Sequence, residues 1–406
     1  MTGGRNPDPA AKNHFSHNFG DAIIAYHELF HQAKRFKQMN ELLCPKCRAR
    51  YPLEIARWRC DCGSYLDIDF EPAFDIDKIK SRPPNLWRYR EAIPIQDDAN
   101  IISFDEGFTP LLEVYFAGRK VLIKQEQLFQ TGSFKDRGAT VLISKVKELG
   151  IKNIVEDSSG NAGAAIAAYS ARAGIVCEIY VPEQAPPAKL NQIKAYGADL
   201  RTVRGPRQNA TSEALKAAES SYYAGHAFNP FFLQGTKTFA YEICEQLDWR
   251  SPDTLVLPVG NGTLLLGAAI GFDELMQAGI IAKWPKLIAV QAENCAPLYR
   301  RFHDNTSESE TVQFKSTLAD GIAVAEPVRA EQIIEAIRQS GGEIIIVSET
   351  TIKAAWTDMG KRGFYIEPTA AAGIAGLLRY LPGAESGEII VSAFTGHGLK
   401  TGPMAP

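Results

Sequence analysis

From about residue 101 onward, short apolar runs alternate with longer segments in which apolar residues recur every three or four positions. The runs predict strands at 121–124, 153–156, 176–181, 200–203, 254–258, 287–291, 343–347 and 388–392. Segments rich in Ala, Leu, Ile and Gln lie between most of them and predict helices. Strand–helix alternation of this kind predicts an α/β fold of mostly parallel, open sheets covered on both faces. Ahead of this region the pattern differs. Residues 1–20 are polar and aperiodic, while 21–39 have helical spacing at Ile23, Ile24, Tyr26, Leu29 and Phe30 and predict an accessory helix. Residues 72–100 carry several prolines and acidic side chains and read as a linker.

A chain of 406 residues can bury a sizeable core in two domains plus an accessory piece. The expected division is an N-terminal extension over 1–40, a cysteine ribbon over 41–75, a small domain over 146–235, and a large domain from 76–145 with 236–406. A formal net charge of −3 gives no reason to expect nucleic acid or an acidic membrane surface as partner. The first twenty residues hold no apolar signal-peptide core, and no apolar run reaches the roughly 18–20 residues of a membrane span. The seven cysteines are an odd number, four of them close together, which argues for a reducing, cytoplasmic compartment.

Those four are Cys44-Pro-Lys-Cys47 and Cys60-Asp-Cys62. Two close pairs joined by a short loop fit a zinc ribbon with tetrahedral thiolate ligation. No histidine or carboxylate at ligand spacing suggests an open position, so such a zinc would be structural. The alternative is a ribbon held by Tyr51, Trp58 and Tyr65 with free thiols.

The candidate chemistry sits where predicted strands give way to helices. Thr131-Gly-Ser-Phe-Lys-Asp-Arg-Gly138 follows the run at 121–124. Ser133 followed three positions later by Asp136 reads as a capping box. That puts Lys135 in the first helical turn, where the dipole disfavours a second positive charge. An amine held partly neutral suits Schiff-base chemistry with a carbonyl. Asp157-Ser158-Ser159-Gly160-Asn161-Ala162-Gly163 offers free amides to a carboxylate, and Gly260-Asn261-Gly262-Thr263 could cradle a phosphate. Thr395-Gly-His-Gly-Leu-Lys400 ends the last predicted strand. Ligands bind at the carboxyl ends of strands in such sheets, so these loops could converge on one cleft. An aldehyde, a phosphate and an amino-acid carboxylate together describe pyridoxal 5′-phosphate carrying an amino acid. A nucleotide fits less well, because neither G-x-x-x-x-G-K-[ST] nor a proper G-x-G-x-x-G is present.

With these motifs in this order, residues 104–400 resemble the fold-type-II, tryptophan synthase β-like, pyridoxal-phosphate enzymes, and most of all threonine synthase. Gly235-Thr-Lys-Thr-Phe-Ala-Tyr-Glu242 carries the resemblance further. It implies that Lys135, with Phe134 beside it, carries the cofactor and moves protons at Cα. Asn161 would bond the cofactor's 3′ oxygen, with Ser158, Ser159, Gly160 and Asn161 itself taking the substrate carboxylate. Gly260, Asn261, Gly262 and Thr263 would hold the cofactor phosphate, and Thr395 would face the pyridine nitrogen. A hydroxyl there does not enforce a pyridinium, so the ring is a weaker electron sink. The resemblance also implies a homodimer and a small amino-acid substrate.

One departure stands out. Threonine synthases read Asn-Pro-Tyr-Arg where this chain reads Asn229-Pro230-Phe231-Phe232, and Thr236 replaces a glutamine. A phenyl ring cannot pair with a phosphate dianion, so Lys237, Arg137 or Lys189 would have to compensate. Otherwise the Phe231-Phe232-Leu233 run lines a side-chain pocket for a substrate without phosphate. The functions left open are threonine synthesis from O-phosphohomoserine, β-elimination or β-replacement on a serine-, threonine- or phosphoserine-like substrate as in the dehydratases and cysteate synthase, and cofactor binding without turnover.

Overall fold

A computed structural model of the chain describes Met1 and residues 40–185, 187–304 and 315–401. The accessory helix expected over 21–39 lies outside the described residues. The first element among the described residues is a small antiparallel sheet of β1 (Glu41–Leu43), β2 (Arg50–Pro52) and β3 (Asp67–Asp69), with β1 in the middle. Next come β4 (Leu111–Phe116) and β5 (Arg119–Lys124), then β6 (Asn153–Glu156), β7 (Val176–Pro182), β8 (Asp199–Val203) and β9 (Tyr222–Tyr223). The last four are β10 (Thr254–Pro258), β11 (Lys286–Ala292), β12 (Glu343–Val347) and β13 (Ile390–Ala393).

Two open sheets result. One has six strands in the order β12-β11-β10-β13-β5-β4, parallel except for β4. The other is fully parallel, in the order β8-β7-β6-β9. Side chains alternate across a strand, so the apolar run of β10 feeds two cores. Leu255 and Leu257 pack on one face with Phe239, Phe272 and Ile333. Val256 points the other way, to Ile288, Trp356 and Ile374. A strand buried on both faces needs an unbroken apolar run, and β10 has one. β4 and the two-residue β9 are strands that the sequence pattern missed.

Residues 72–100 are not a loose linker. Asp75 caps the helix Ile76–Ser81, and Asn85 caps a 3-10 segment over Leu86–Ala92. Leu86, Trp87, Ile93 and Ile95 are buried against Val141, and the Trp87 indole donates to Glu106 (3.2 Å) and Thr140 (3.1 Å). Each such apolar side chain contributes ~1.5–3 kcal/mol on burial, which a free linker would forgo. Prolines and acids here mark turns between packed pieces.

The ribbon packs on the smaller sheet through Trp58, whose ring lies 4.7 Å from that of Tyr223 and 5.7 Å from that of Phe228. No helix among the described residues is long and apolar enough to cross a membrane.

Candidate active site

The loops that follow β5, β6, β10 and β13 meet in a cleft of about 240 Å³ between the two larger sheets. Phe134, Lys135, Ser158, Ser159, Gly160 and Asn161 line it, as do Gly260, Asn261, Gly262, Thr263 and Thr395. All the non-metal candidates from the sequence are therefore brought together.

The lysine loop is built differently from expectation. The helix runs from Lys135 to Glu148 with Phe134 at its cap and no side-chain capping bond. Ser133 is instead drawn into an antiparallel bridge with Gly396, and its buried hydroxyl has no partner. The Asp136 carboxylate turns back to accept from the amide (2.9 Å) and hydroxyl of Thr131. The Phe134 amide donates to the Thr395 carbonyl (3.2 Å) and the Lys400 amine to that of Thr131 (2.7 Å), so the last strand's loop clamps the lysine loop.

Lys135 Nζ lies 3.2 Å from the Thr263 hydroxyl and 4.4 Å from the centre of the Phe134 ring. Burial lowers its pKa from 10.5 to about 7, more than the Glu156 carboxylate can restore, and Arg207 pushes the same way. The amine is thus poised near neutrality, mainly by desolvation and not by the helix dipole. Capture of pyridoxal phosphate by the apoprotein needs the unprotonated amine. Its rate should therefore rise with pH through about 7, where a solvated lysine would still be protonated. Stopped-flow absorbance across pH 5.5–9 would show that midpoint; a rise only above ~10 would contradict it.

The helix Asn161–Ala173 starts at Gly160 without a side-chain cap, leaving first-turn amides for an anion. The Gly160 amide supplies less than expected, because it donates to the Ser158 hydroxyl (3.3 Å) within the loop. The Ser158 carbonyl also lies so close to Gly163 that a Cβ there would sit 1.9 Å away, so only glycine fits. Gly262 has φ +70°, and a Cβ on it would strike Ile333 at 2.4 Å, which keeps the Gly260–Thr263 turn tight against the helix Ala330–Gln339.

Two residues at the cleft, Glu367 and His226, left little trace in the sequence. Glu367 is buried and accepts from the Asn161 amide (2.7 Å). Gly396 makes that possible, since a Cβ there would lie 1.9 Å from the Glu367 carboxylate. Glu367 does precede Pro368 at a helix start, a signal for a helix N-terminus but not for a site. Lys189 reaches the cleft and pairs with Asp320 (2.5 Å) and Glu367 (3.6 Å). His226 faces Glu156 at 3.2 Å; burial, with Lys135 and Arg207 nearby, holds it well below its usual pKa and so uncharged.

Phe231, Phe232 and Leu233 do not line the cleft. They are buried in the helix Pro230–Thr236, and the Phe232 ring lies against Gly138, where a Cβ would come within 2.4 Å of it. The side-chain-pocket reading of this run is therefore corrected: Phe232 is core, beneath the lysine helix. Two of the three cations expected to compensate are committed elsewhere, Arg137 to Glu126 and Glu242, and Lys237 to Glu274.

The donor set fits pyridoxal phosphate. Thr395 Oγ1 and Asn161 Oδ1 are buried in the cleft with no partner, the glycine turn opens onto it, and a near-neutral amine stands between them. At the other end of the chain, the sulfurs of Cys44, Cys47, Cys60 and Cys62 all lie within 4.8 Å of one another, and no disulfide joins them. That grouping suits one tetrahedral metal ion.

Comparison with known proteins agrees with this geometry. The family described as "Pyridoxal-phosphate dependent enzyme" matches residues 102–396. A threonine synthase of Methanocaldococcus jannaschii is 36% identical over 88% of this chain and 92% of its own. Another, from Methanosarcina acetivorans, is 33% identical over 89% of this chain and 92% of its own. Among solved structures, serine racemase from Dictyostelium discoideum superposes with a TM-score of 0.61 at 28% identity, covering 72% of this chain and 92% of that one. The chain belongs to the fold-type-II pyridoxal-phosphate-dependent enzymes and is a lyase resembling threonine synthase.

Proposed function

We propose that the protein is a threonine synthase, converting O-phosphohomoserine and water to threonine and phosphate. The observation that carries this reading is the convergence on one cleft of Lys135, the Asn161 helix start, the Gly260–Thr263 turn and Thr395. The glycine turn and Thr263 would hold the cofactor phosphate, and the unpaired Thr395 hydroxyl would meet the pyridine nitrogen. Pyridoxal phosphate, when bound, supplies the electron sink that lets a proton leave Cα. Lys135, close to neutral at physiological pH, is the base that takes this proton and returns it. Ser159, Asn161 and the uncapped amides would orient the substrate carboxylate, fixing which Cα bond faces the lysine.

A second reading, β-elimination or β-replacement on a serine- or threonine-like substrate, is favoured by one observation. The position where threonine synthases carry a phosphate-binding arginine holds the buried Phe232. One assay separates the two: holoenzyme with O-phosphohomoserine, threonine, serine and O-phosphoserine, scored for phosphate, threonine, ammonia and 2-oxo acid. Threonine and phosphate in equal amounts from O-phosphohomoserine support synthesis. Ammonia and 2-oxo acid from the hydroxy amino acids support elimination.

The ribbon is proposed to hold one structural zinc ion. With four sulfurs and no fifth donor in the group, no position is left open for substrate. Protein purified without chelator should carry about one zinc per chain. Cys47→Ser should lose most of it, with a red shift in the fluorescence of Trp58, which packs at a tilt against Tyr223. Well under one zinc in the wild type would sink the proposal.

A further inference from the structure

We propose that Arg207 is the subsite for a second, distal anion on the substrate, and so selects amino acids whose side chain ends in phosphate or a similar group. This rests on the cleft being an amino-acid site. The cations that line the cleft are Lys135, Lys189 and Arg207. Lys135 is the cofactor lysine, and Lys189 is already neutralised by Asp320 and Glu367. Arg207 forms no ion pair among the described residues and is exposed at the rim.

Its position has no local structural reason. Arg207 is the first residue of the helix Arg207–Ala217, after Pro206, which gives no side-chain cap. A cation at the positive end of a helix dipole is unfavourable, so helix stability does not account for it. The helix is nevertheless fixed beside the carboxylate loop. Thr211 donates to Asp157 (2.6 Å), and Tyr223 donates to the other oxygen of the same carboxylate (2.9 Å). Asp157 immediately precedes Ser158 and Ser159, so the helix that carries Arg207 and the carboxylate-binding amides are held in one frame. The charge of Arg207 is also felt at Lys135 and His226, both of which it pushes toward the neutral form. A guanidinium fork matches a phosphate monoester, two donors to two oxygens. Arg207 thereby takes the part that the buried Phe232 cannot.

The test uses holoenzyme of wild type, Arg207→Gln and Arg207→Lys. Calorimetric binding of O-phosphoserine and of serine is compared, together with steady-state kinetics on O-phosphohomoserine. Arg207→Gln is expected to weaken O-phosphoserine about tenfold, the low end for a charge-assisted contact because the group is partly solvated. Serine binding should stay in place, the KM for O-phosphohomoserine should rise in step with little loss of kcat, and Arg207→Lys should fall between. An equal shift for serine and O-phosphoserine, or no shift for either, overturns the subsite. The two readings fail separately. If O-phosphoserine binding depends on Arg207 but no threonine forms from O-phosphohomoserine, the subsite stands and threonine synthesis falls. If threonine forms with an unchanged KM in Arg207→Gln, synthesis stands and the subsite falls.

Discussion

Lys135→Ala is expected to remove the visible absorption of the purified protein and to lower turnover by at least ~10²–10⁴-fold, the range for loss of a positioned general base. The fold should survive. Nζ has the Thr263 hydroxyl as its side-chain partner, and its charged form is disfavoured by burial. With a folded pKa of about 7 against 10.5 for the free group, the unfolded chain holds a proton between those values that the folded chain does not. Stability from this group therefore rises with pH across that window and is at its lowest below about 7, so truncation should not cost stability near neutrality. Thermal unfolding at pH 7 checks that half. Borohydride reduction of the wild type followed by peptide mapping checks the other. A reduced adduct that persists in Lys135→Ala, most simply on the cleft-lining Lys189, would overturn the assignment.

The parallel strands and the loops after them were legible because each signal is local. The apolar runs placed β6, β10 and β12 to the residue, and β5, β7, β8 and β11 within two. Gly, Ser and Asn at strand ends marked the cleft. What failed depends on partners far away in the chain. β4 is an edge strand whose only neighbour among the described residues is β5, so its outward positions, such as Tyr115, are exposed and the apolar pattern is diluted. Glu367 meets Asn161 across 206 residues, and His226 meets Glu156 across 70. Nothing in either local stretch announces that meeting. The Ser133–Asp136 spacing suggested a cap, but pairing with Gly396 took Ser133 away from the helix end. Phe232 was ambiguous between core and pocket for the same reason: burial is decided by the helix that packs on it, not by the residue.

Arg137→Met is expected to destabilise the protein by about 3–5 kcal/mol, the cost of leaving a buried charge without its partner. Arg137 is fully buried two residues after Lys135 and grips two carboxylates, Glu126 at 2.7 and 2.8 Å and Glu242 at 2.6 and 2.7 Å. Lys124 completes the group, with Nζ 2.9 Å from Glu242. Two cations and two anions balance. Burial alone would raise the Glu242 pKa, but Arg137 and Lys124 outweigh it and hold it at about 2, against 4.5 for the free group. This contribution is fully present above about pH 4.5 and is lost as pH falls toward 2. In Arg137→Met one anion is in excess, and Glu242 loses the larger of the two cationic partners that hold its pKa down. The variant lacks most of this contribution at every pH, so the gap to wild type is widest near neutrality and narrows in acid as wild type loses it too. Adding Glu242→Gln restores one cation to one anion, and the double variant should be more stable than Arg137→Met alone. Urea unfolding of the three proteins at pH 7 and pH 4 reads all of this. A loss below ~1 kcal/mol at pH 7, unchanged at pH 4, would mean that water reaches the cluster and that these charges behave as surface ones.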